Sequence, residues 1–340
     1  MQFGFFDRVD REKRLTELGD NLEKLNKAID WEMFRPILTK ALYKEHKGAG
    51  GRPRFDPVMM LKILILQRYY NLSDEQTEYQ ITDRISFMRF LGLGLSDKVP
   101  DAKTIWYFRN QLTEAKAVDE LFNHFEKMLE EAKIITHEGS IIDATFAETP
   151  KQHNKPEEKE EIKAGKIPEE WQKPEEAHKL AQKDLDARYS IKRKQLFFGY
   201  KNNIKVDADS KMITKYKVTP ANISDHKVFE DLLDIEKDKH IWADSGYYNK
   251  NVFKLIPESI ETSILEKATR CHPLTDEQKQ SNTEKSKIRV RIEHVFGYMK
   301  STMHGTSSKY IGLERASACM ALMNLTYNMC RYEYLTRAKN

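Results

Sequence analysis

The sequence has few cysteines, and their spacing excludes two common structural devices. They are Cys271, Cys319 and Cys330, an odd number without the C-x-x-C spacing of a zinc ribbon. A disulfide framework needs paired cysteines and an oxidising compartment. We therefore expect a protein of a reducing compartment that uses neither device.

Long apolar runs are also missing. The best apolar stretch, Val58–Leu66, is interrupted by Lys62 and is much shorter than the roughly 20 residues that a membrane span needs. Asp7, Arg8 and Asp10 stand where a secretory signal has its apolar run. These absences predict a soluble, cytoplasmic protein with no membrane partner.

A strong excess of one charge is absent as well. The chain has 57 Lys and Arg against 53 Asp and Glu, a formal net charge of +4, which excludes a simple polycation. Binding to a nucleic acid would therefore depend on where the basic residues lie. With 340 residues, 39% hydrophobic and 32% charged, we expect a catalytic domain with one or two smaller helical units and a surface dense in charge.

The first 50 residues carry an apolar stripe. Leu15, Leu18, Leu22 and Leu25 recur at three- and four-residue steps among charged neighbours, the pattern of an amphipathic helix. We predict that residues 1–50 are helical and that this stripe packs internally or pairs two subunits.

Residues 51–135 are predicted to be helical and to bind DNA in the manner of a helix-turn-helix. A helix begins at Asp56-Pro57, Ser73 and Gln76 form a capping box for the next, and Asp101 caps a third. This third helix mixes the cations Lys103 and Arg109 with aromatic rings, as a DNA-reading helix does. Ordinary packing of such a helix remains an equal alternative.

The pattern changes to α/β from residue 136 to residue 336. We predict a mixed sheet with flanking helices, in which a long helix begins near Thr283 and a last helix covers Glu314–Leu335. The predicted strands are Ser140–Ala144, Phe198–Val206, Met212–Val218, Ile241–Ala243 and Ile260–Leu265. Residues 150–195 are rich in Lys, Glu and Gln, so we expect a solvated insertion, partly helical or mobile, that adds little to the core.

Two aspartates follow predicted buried strands. Asp143 comes after two isoleucines, where an unpaired charge is costly unless a cation compensates it. Asp244 follows Trp242-Ala243, at the carboxyl end of a strand, where open α/β sheets keep their sites. Either aspartate alone is more often a turn or cap residue.

A third carboxylate is expected on the long helix. Arg289, Glu293 and Lys300 fall on one face of an ideal helix, beside a separate apolar stripe. A simple i,i+4 ion pair of Arg289 with Glu293 is the alternative. Two strand-end aspartates and a helical glutamate together provide hard oxygen ligands for Mg²⁺, so Asp143, Asp244 and Glu293 are the predicted metal-binding and catalytic residues.

These motifs resemble those of the DDE transposases of bacterial insertion sequences, most closely the group named after insertion sequence five. The matching segments cover roughly Gly51–Tyr332 and are Ile141-Ile142-Asp143-Ala144-Thr145, Phe198-Gly199-Tyr200-Lys201, Thr219-Pro220-Ala221-Asn222 with Asp225, Ala243-Asp244-Ser245-Gly246-Tyr247, and Arg289-x3-Glu293-x6-Lys300. The family usually has a tyrosine three residues before the arginine, and this chain has Ser286 there. No role of that tyrosine is carried over.

The resemblance implies an RNase H-like catalytic fold, two Mg²⁺ or Mn²⁺ ions, and double-stranded DNA as the partner. It implies cleavage at terminal inverted repeats, joining of 3′-hydroxyl ends to target DNA, a homodimer and a location at the bacterial nucleoid. Arg289 and Lys300 would contact DNA ends, with Lys201 and Asp225 near the site. We add Lys201, Arg52, Arg54, Lys103 and Arg109 as predicted DNA contacts.

Three other functions remain open on the sequence alone. An RNase H-like nuclease would cut without rejoining, and a non-catalytic DNA-binding regulator would tolerate loss of the carboxylates. Paired carboxylates could also serve general acid/base chemistry, such as glycoside hydrolysis, without metal.

Overall fold

The structure is a computed structural model that describes residues 7–43, 54–192, 194–268 and 272–337. Arg52 and Cys271 lie outside the described residues. The chain divides into two compact units. The first contains Met1–Met128, Thr302–His304 and Leu322–Asn340, and the second contains Leu129–Ser301 and Gly305–Ala321. No helix within the described ranges combines the length and the apolar character that a membrane span needs.

The first unit is helical. Its helices are α1 Asp7–Glu17, α2 Asn21–Ala28, α3 Arg35–Ala41, α4 Pro57–Tyr69, α5 Asp74–Asp83, α6 Ile85–Leu91, α7 Ala102–Glu114 and α8 Ala117–Glu131, the last ending in the second unit. Helix α4 lies at the centre, because Leu61, Ile63, Leu64 and Leu66 are all at most 1% exposed.

The predicted helix starts are confirmed. The Asp56 side chain accepts the backbone N–H of Met59, Asp101 accepts that of Thr104, and Ser73 with Gln76 forms a complete capping box. These side chains satisfy backbone donors that a helix leaves unpaired in its first turn, so the signal is local in sequence.

The single leucine-striped helix is corrected. α1 ends at Glu17, Gly19 adopts a left-handed φ of +87°, and Asp20 caps α2, so two helices replace one. Leu22 and Leu25 are buried within this unit, whereas Leu18 is 76% exposed. The leucines therefore form no continuous surface for a second subunit.

The second unit is a mixed sheet with helices. Its strands are β1 Ser140–Glu148, β2 Arg188–Lys192, β3 Gln195–Asp207, β4 Ile213–Pro220, β5 His240–Ala243 and β6 Glu261–Ile264. Its helices are α9 Pro156–Lys163, α10 Ala177–Gln182, α11 Phe229–Leu232, α12 Lys250–Leu255, α13 Asp276–Arg289 and α14 Arg291–Ser301, and α15 Leu313–Arg337 continues into the first unit.

The sheet has an RNase H-like order. β4 pairs with β3 and β3 with β1 in antiparallel fashion, and β5 and β6 follow β1 in parallel. Completely buried side chains such as Ile141, Ile142 and Ile204 form its core. The predicted mixed sheet with flanking helices and an N-terminal helical region is confirmed.

The described part of the charged insertion contains two α-helices and one strand. Residues 150–195 contain α9, α10 and β2, and β2 pairs with β3. Most of the described residues in this range are exposed or half-buried, but Trp171 is 1% exposed and donates its indole N–H to Glu158 at 2.9 Å. The insertion therefore has a small core around one large aromatic side chain, which the sequence did not predict.

Candidate active site

Two carboxylates lie on neighbouring strands. Asp143 lies within β1, which continues to Glu148 instead of ending near Ala144 as predicted, and Asp244 directly follows β5. β1 and β5 are parallel neighbours in which Ile142 faces Ala243, so the next residues are Asp143 and Asp244. The Asp143 carboxylate accepts the backbone N–H of Ala144 at 2.7 Å, and that of Asp244 accepts the N–H of Ser245 at 2.6 Å. Parallel pairing therefore brings together two residues that are far apart in sequence.

Asp143 carries a perturbed charge. Burial raises the pKa of Asp143 to about 6, the hydrogen bond from Ala144 opposes that rise, and the nearby Asp244 charge adds to it. Lys192 and Arg289 lower this pKa by smaller amounts. Burial makes the ionised form of Asp143 costly, and a bound divalent cation would stabilise that charge.

Arg289 joins the third carboxylate to the first. Its Nη1 lies 3.3 Å from Oδ2 of Asp143, and its Nη2 donates to Oε1 of Glu293 at 2.8 Å. One guanidinium thus contacts both Asp143 and Glu293, and Glu293 is more exposed than Asp143. The metal-binding and catalytic roles of the three acidic residues stay predictions.

The predicted long helix is interrupted at the site. α13 begins at Asp276, earlier than the expected start near Thr283, and ends at Arg289, while α14 begins at Arg291. Val290 between them keeps φ of −56° and ψ of −20°. These angles stay close to helical values, so the i,i+4 pair of Arg289 with Glu293 survives the interruption.

All three carboxylates open into one cleft of about 690 Å³ in the second unit. Lys300 is exposed on α14 and lines it too. The lining residues are Asp143, Ala144, Thr145, Phe146, Glu148, Lys192, Gln195, Phe197, Asp244, Arg289, Glu293, Phe296, Lys300, Gly305, Thr306 and Ser307. Acids and cations therefore share the walls, which suits an anionic ligand with a divalent cation.

The donor set fits Mg²⁺ or Mn²⁺. Carboxylate oxygens are hard ligands, and Mg²⁺ binds through a couple of carboxylates plus water and phosphate oxygens. Asp143, Asp244 and Glu293 supply these oxygens without a competing thiol or imidazole among the described lining residues of the cleft.

Lys201 lies near the site but is already paired. It is the cross-strand partner of Phe146, and its ammonium donates to Oδ1 of Asp225 at 2.7 Å and to the carbonyl of Ile223 at 2.8 Å. A phosphate contact by Lys201 would compete with that ion pair. The predicted DNA contact of Lys201 stays a prediction.

The basic residues predicted in the first unit separate into two kinds. Lys103 is exposed on α7, and exposed Arg54 donates to the carbonyl of Leu42 at 2.8 Å. Arg109 is instead buried and forms two hydrogen bonds to Asp74, at 2.6 and 2.8 Å. This geometry argues against the predicted DNA contact of Arg109, because its guanidinium is used inside the unit.

The sequence prediction missed part of the cleft wall. Lys192, Phe197 and Phe146 line it, yet none was singled out. Lys192 and Phe197 belong to the β2–β3 hairpin. The sequence around β2 is so polar that no strand was predicted there. The alternation of Ile191 and Tyr189 with polar neighbours was the available signal.

Two family models match most of this chain. Residues 9–111 match the family described as "Transposase domain (DUF772)", and residues 135–329 match the "Transposase DDE domain". A solved structure with a similar fold is described as "Cryo-EM structure of piggyBac transposase synaptic complex with hairpin DNA (SNHP)", with 10% sequence identity, 94% of this chain and 76% of that chain covered, and a TM-score of 0.46. The second family match covers more than half of the sequence and contains Asp143, Asp244 and Glu293. The chain therefore belongs to the DDE transposase family.

Proposed function

We propose that this transposase binds the terminal inverted repeats of its own insertion sequence, cleaves their DNA by metal-dependent hydrolysis and joins the freed 3′-hydroxyl ends to target DNA. The observation that carries this proposal is the contact of Arg289 with both Asp143 and Glu293, beside the in-register Asp244. Membership of the insertion-sequence-five group is part of the same proposal.

Asp143, Asp244 and Glu293 are the proposed ligands of two divalent cations, Mg²⁺ or Mn²⁺. When bound, such ions stabilise the charge on the attacking and leaving oxygens of a phosphodiester. Arg289 keeps two of the carboxylates together through its two contacts, which lowers their mutual repulsion before the cations arrive. The same arginine is long enough to turn toward a phosphate once the carboxylates have a different counter-charge.

Arg289 and Lys300 are the proposed phosphate contacts of the DNA end. Both line the cleft beside the carboxylates, and Lys300 is exposed. Two cations at the rim attract the DNA backbone and orient the scissile phosphate, while the acidic floor remains free for cations. Removing one such contact should weaken binding without removing the chemistry.

Binding and catalysis are proposed to lie in different parts of the chain. Residues 51–135 bind DNA, with exposed Arg54 and Lys103 as contacts, and residues 136–336 contain the catalytic site. The chain is proposed to act as a homodimer at the nucleoid, since two DNA ends must be brought together, but the leucines of residues 1–50 are not its surface. Equilibrium sedimentation that finds monomers with and without DNA would refute the dimer.

The test uses labelled DNA that carries the ends flanking the gene, with and without Mg²⁺. Asp244→Asn and Glu293→Gln should bind this DNA and fail to cleave it, because amides are poor ligands for hard cations. Glu284→Gln is the matched control, since Glu284 is an exposed acid of α13 that pairs only locally with Lys287. It should cleave normally.

Each alternative function gives a different result in this assay. Nicked ends without joined products would indicate a nuclease, and DNA binding without cleavage by the native chain would indicate a regulator. Cleavage that continues in a chelator would contradict the metal requirement. Full activity of Asp244→Asn or Glu293→Gln would contradict the assignment of the site.

A further inference from the structure

Two phenylalanine rings stack against each other in the wall of the cleft. Phe146 on β1 and Phe197 on β3 are parallel within 3°, with ring centroids 4.1 Å apart. Phe146 lies three residues after Asp143 on the same strand, and both rings are only partly buried. Side chains three residues apart on a strand point to opposite faces, but both rings line the same cleft as the three carboxylates.

The β2–β3 hairpin turns one of its faces toward the cleft. Ser190 pairs with Phe197 and Lys192 with Gln195, so Lys192, Gln195 and Phe197 share one face, and all three line the cleft. The opposite face carries Ile191 and Leu196, which are paired with each other and exposed. The hairpin thus divides its side chains between two surfaces.

Cations accompany the stacked rings. The ammonium groups of Lys192 and Lys201 lie 5.9 and 5.5 Å from the centroid of the Phe146 ring. Lys201 is held by Asp225, whereas Lys192 faces the cleft. The wall therefore offers a flat apolar surface with positive charge next to it.

Ordinary packing explains this pair incompletely. A stacked pair that serves the core is usually covered by apolar side chains, as Ile142 and Ile204 are elsewhere in this sheet. Phe197 instead faces a cleft whose other walls include Asp143, Glu148 and Lys192. A ligand that fits both the flat phenylalanine rings and the positive charge beside them has a flat ring on an anionic backbone, which is the chemistry of a nucleotide.

We propose that the Phe146–Phe197 pair is a stacking platform for one unpaired nucleobase of the DNA strand that enters the cleft, with Lys192 contacting the phosphate of that nucleotide. The inference rests on the proposed function, because it places the nucleotide next to the bond that the carboxylates cut. An unpaired base is required, since both faces of a base inside a duplex are covered by its neighbours. A cleft of about 690 Å³ has room for it.

The probe is a duplex that carries the element end with a single unpaired 2-aminopurine at the cleavage junction, in a chelator so that no cleavage occurs. A fully paired duplex with 2-aminopurine at the same position is the comparison. Stacking on Phe197 should quench the fluorescence of the unpaired probe when the full-length protein binds. The paired probe should be quenched much less.

Phe197→Leu removes the flat ring and keeps an apolar side chain. It should abolish the quenching and weaken binding of the unpaired probe by about 10-fold, a typical effect of losing one stacked base. Binding of the paired probe should change by less than about 2-fold on the same scale. Phe197→Tyr, which retains the ring, should restore the quenching, and this rescue separates stacking from misfolding.

Phe253→Leu is the matched control, because Phe253 is a partly exposed ring of α12 outside the lining of the cleft. It should bind and quench like the native chain. Unchanged quenching in Phe197→Leu, or an equal loss of affinity for both probes, would overturn the platform.

A parallel cleavage reaction with Mg²⁺ tests the proposed function separately from the stacking platform. Metal-dependent cleavage by the native chain together with unchanged quenching in Phe197→Leu would refute the platform alone. Absence of cleavage by the native chain on its own ends would refute the proposed function, whatever the fluorescence shows.

Discussion

Replacing Asp143 with asparagine tests the electrostatics of the site without DNA or metal. Burial, with a contribution from the Asp244 charge, raises the pKa of Asp143 from 3.8 to about 6. At intermediate pH the folded protein therefore keeps a proton that the unfolded chain has released. Its free energy of unfolding falls as the pH rises from about 4 to about 6, and the full penalty persists above that window.

The size of the effect follows from the pKa. A shift of about two units corresponds to about 3 kcal/mol, at about 1.36 kcal/mol per unit. Asp143→Asn has no such proton to lose, and its side-chain oxygen can still accept the N–H of Ala144. It loses the contact at 3.3 Å with Arg289, so we expect a net gain of about 2 kcal/mol at pH 7.5.

Thermal unfolding in a chelator between pH 4 and pH 8 measures this gain. The Tm of Asp143→Asn should exceed that of the native chain by about 4–8 °C at pH 7.5 and approach it near pH 4. Asp231→Asn is the matched control, because Asp231 is half exposed and forms an ion pair with equally exposed Lys217. Equal Tm differences at pH 4 and pH 8, or a less stable variant at pH 7.5, would refute the reasoning.

Three further changes test other parts of the structure. Lys300→Ala should weaken binding of the element end and reduce the slope of log affinity against log salt by about 0.9, and an unchanged slope would contradict its phosphate contact. Arg109→Met should lower the free energy of unfolding in urea by about 3 kcal/mol, because Asp74 loses its counter-charge and keeps only the hydrogen bond from Gln67 among the contacts described for it. Lys103→Ala should leave stability unchanged, and equal effects would contradict the buried pair. Trp171→Ala should lower the free energy of unfolding by about 3–5 kcal/mol and make residues 150–195 sensitive to limited proteolysis. Resistance equal to that of the native chain would contradict a core in the insertion.

Local chemistry made part of this fold predictable. Asp56, Ser73 and Asp101 each satisfy backbone donors within three residues, so the cap can be recognised without knowing the rest of the molecule. The strands that bear Asp143 and Asp244 were recognised from short apolar runs that end in a carboxylate.

Other features could not be predicted because they depend on partners far along the chain. β2 was missed because its polar sequence becomes a strand through pairing with β3. Arg109 has the composition of a DNA contact, and only the position of Asp74 shows that its charge is used internally. Trp171 was overlooked because a single aromatic residue hardly changes the average composition of a charged segment.

The sequence by itself determined the helix caps, most of the strands and the candidate carboxylates, since caps, alternation and acids that follow apolar runs are properties of neighbouring residues. The tertiary structure decided which of these residues meet. Parallel pairing of β1 with β5 sets Asp143 beside Asp244, and packing brings Arg289 to Asp143 across 146 positions of sequence. Contacts at such separations depend on how whole elements pack, and a sequence pattern with a period of two or 3.6 residues carries no information about that packing.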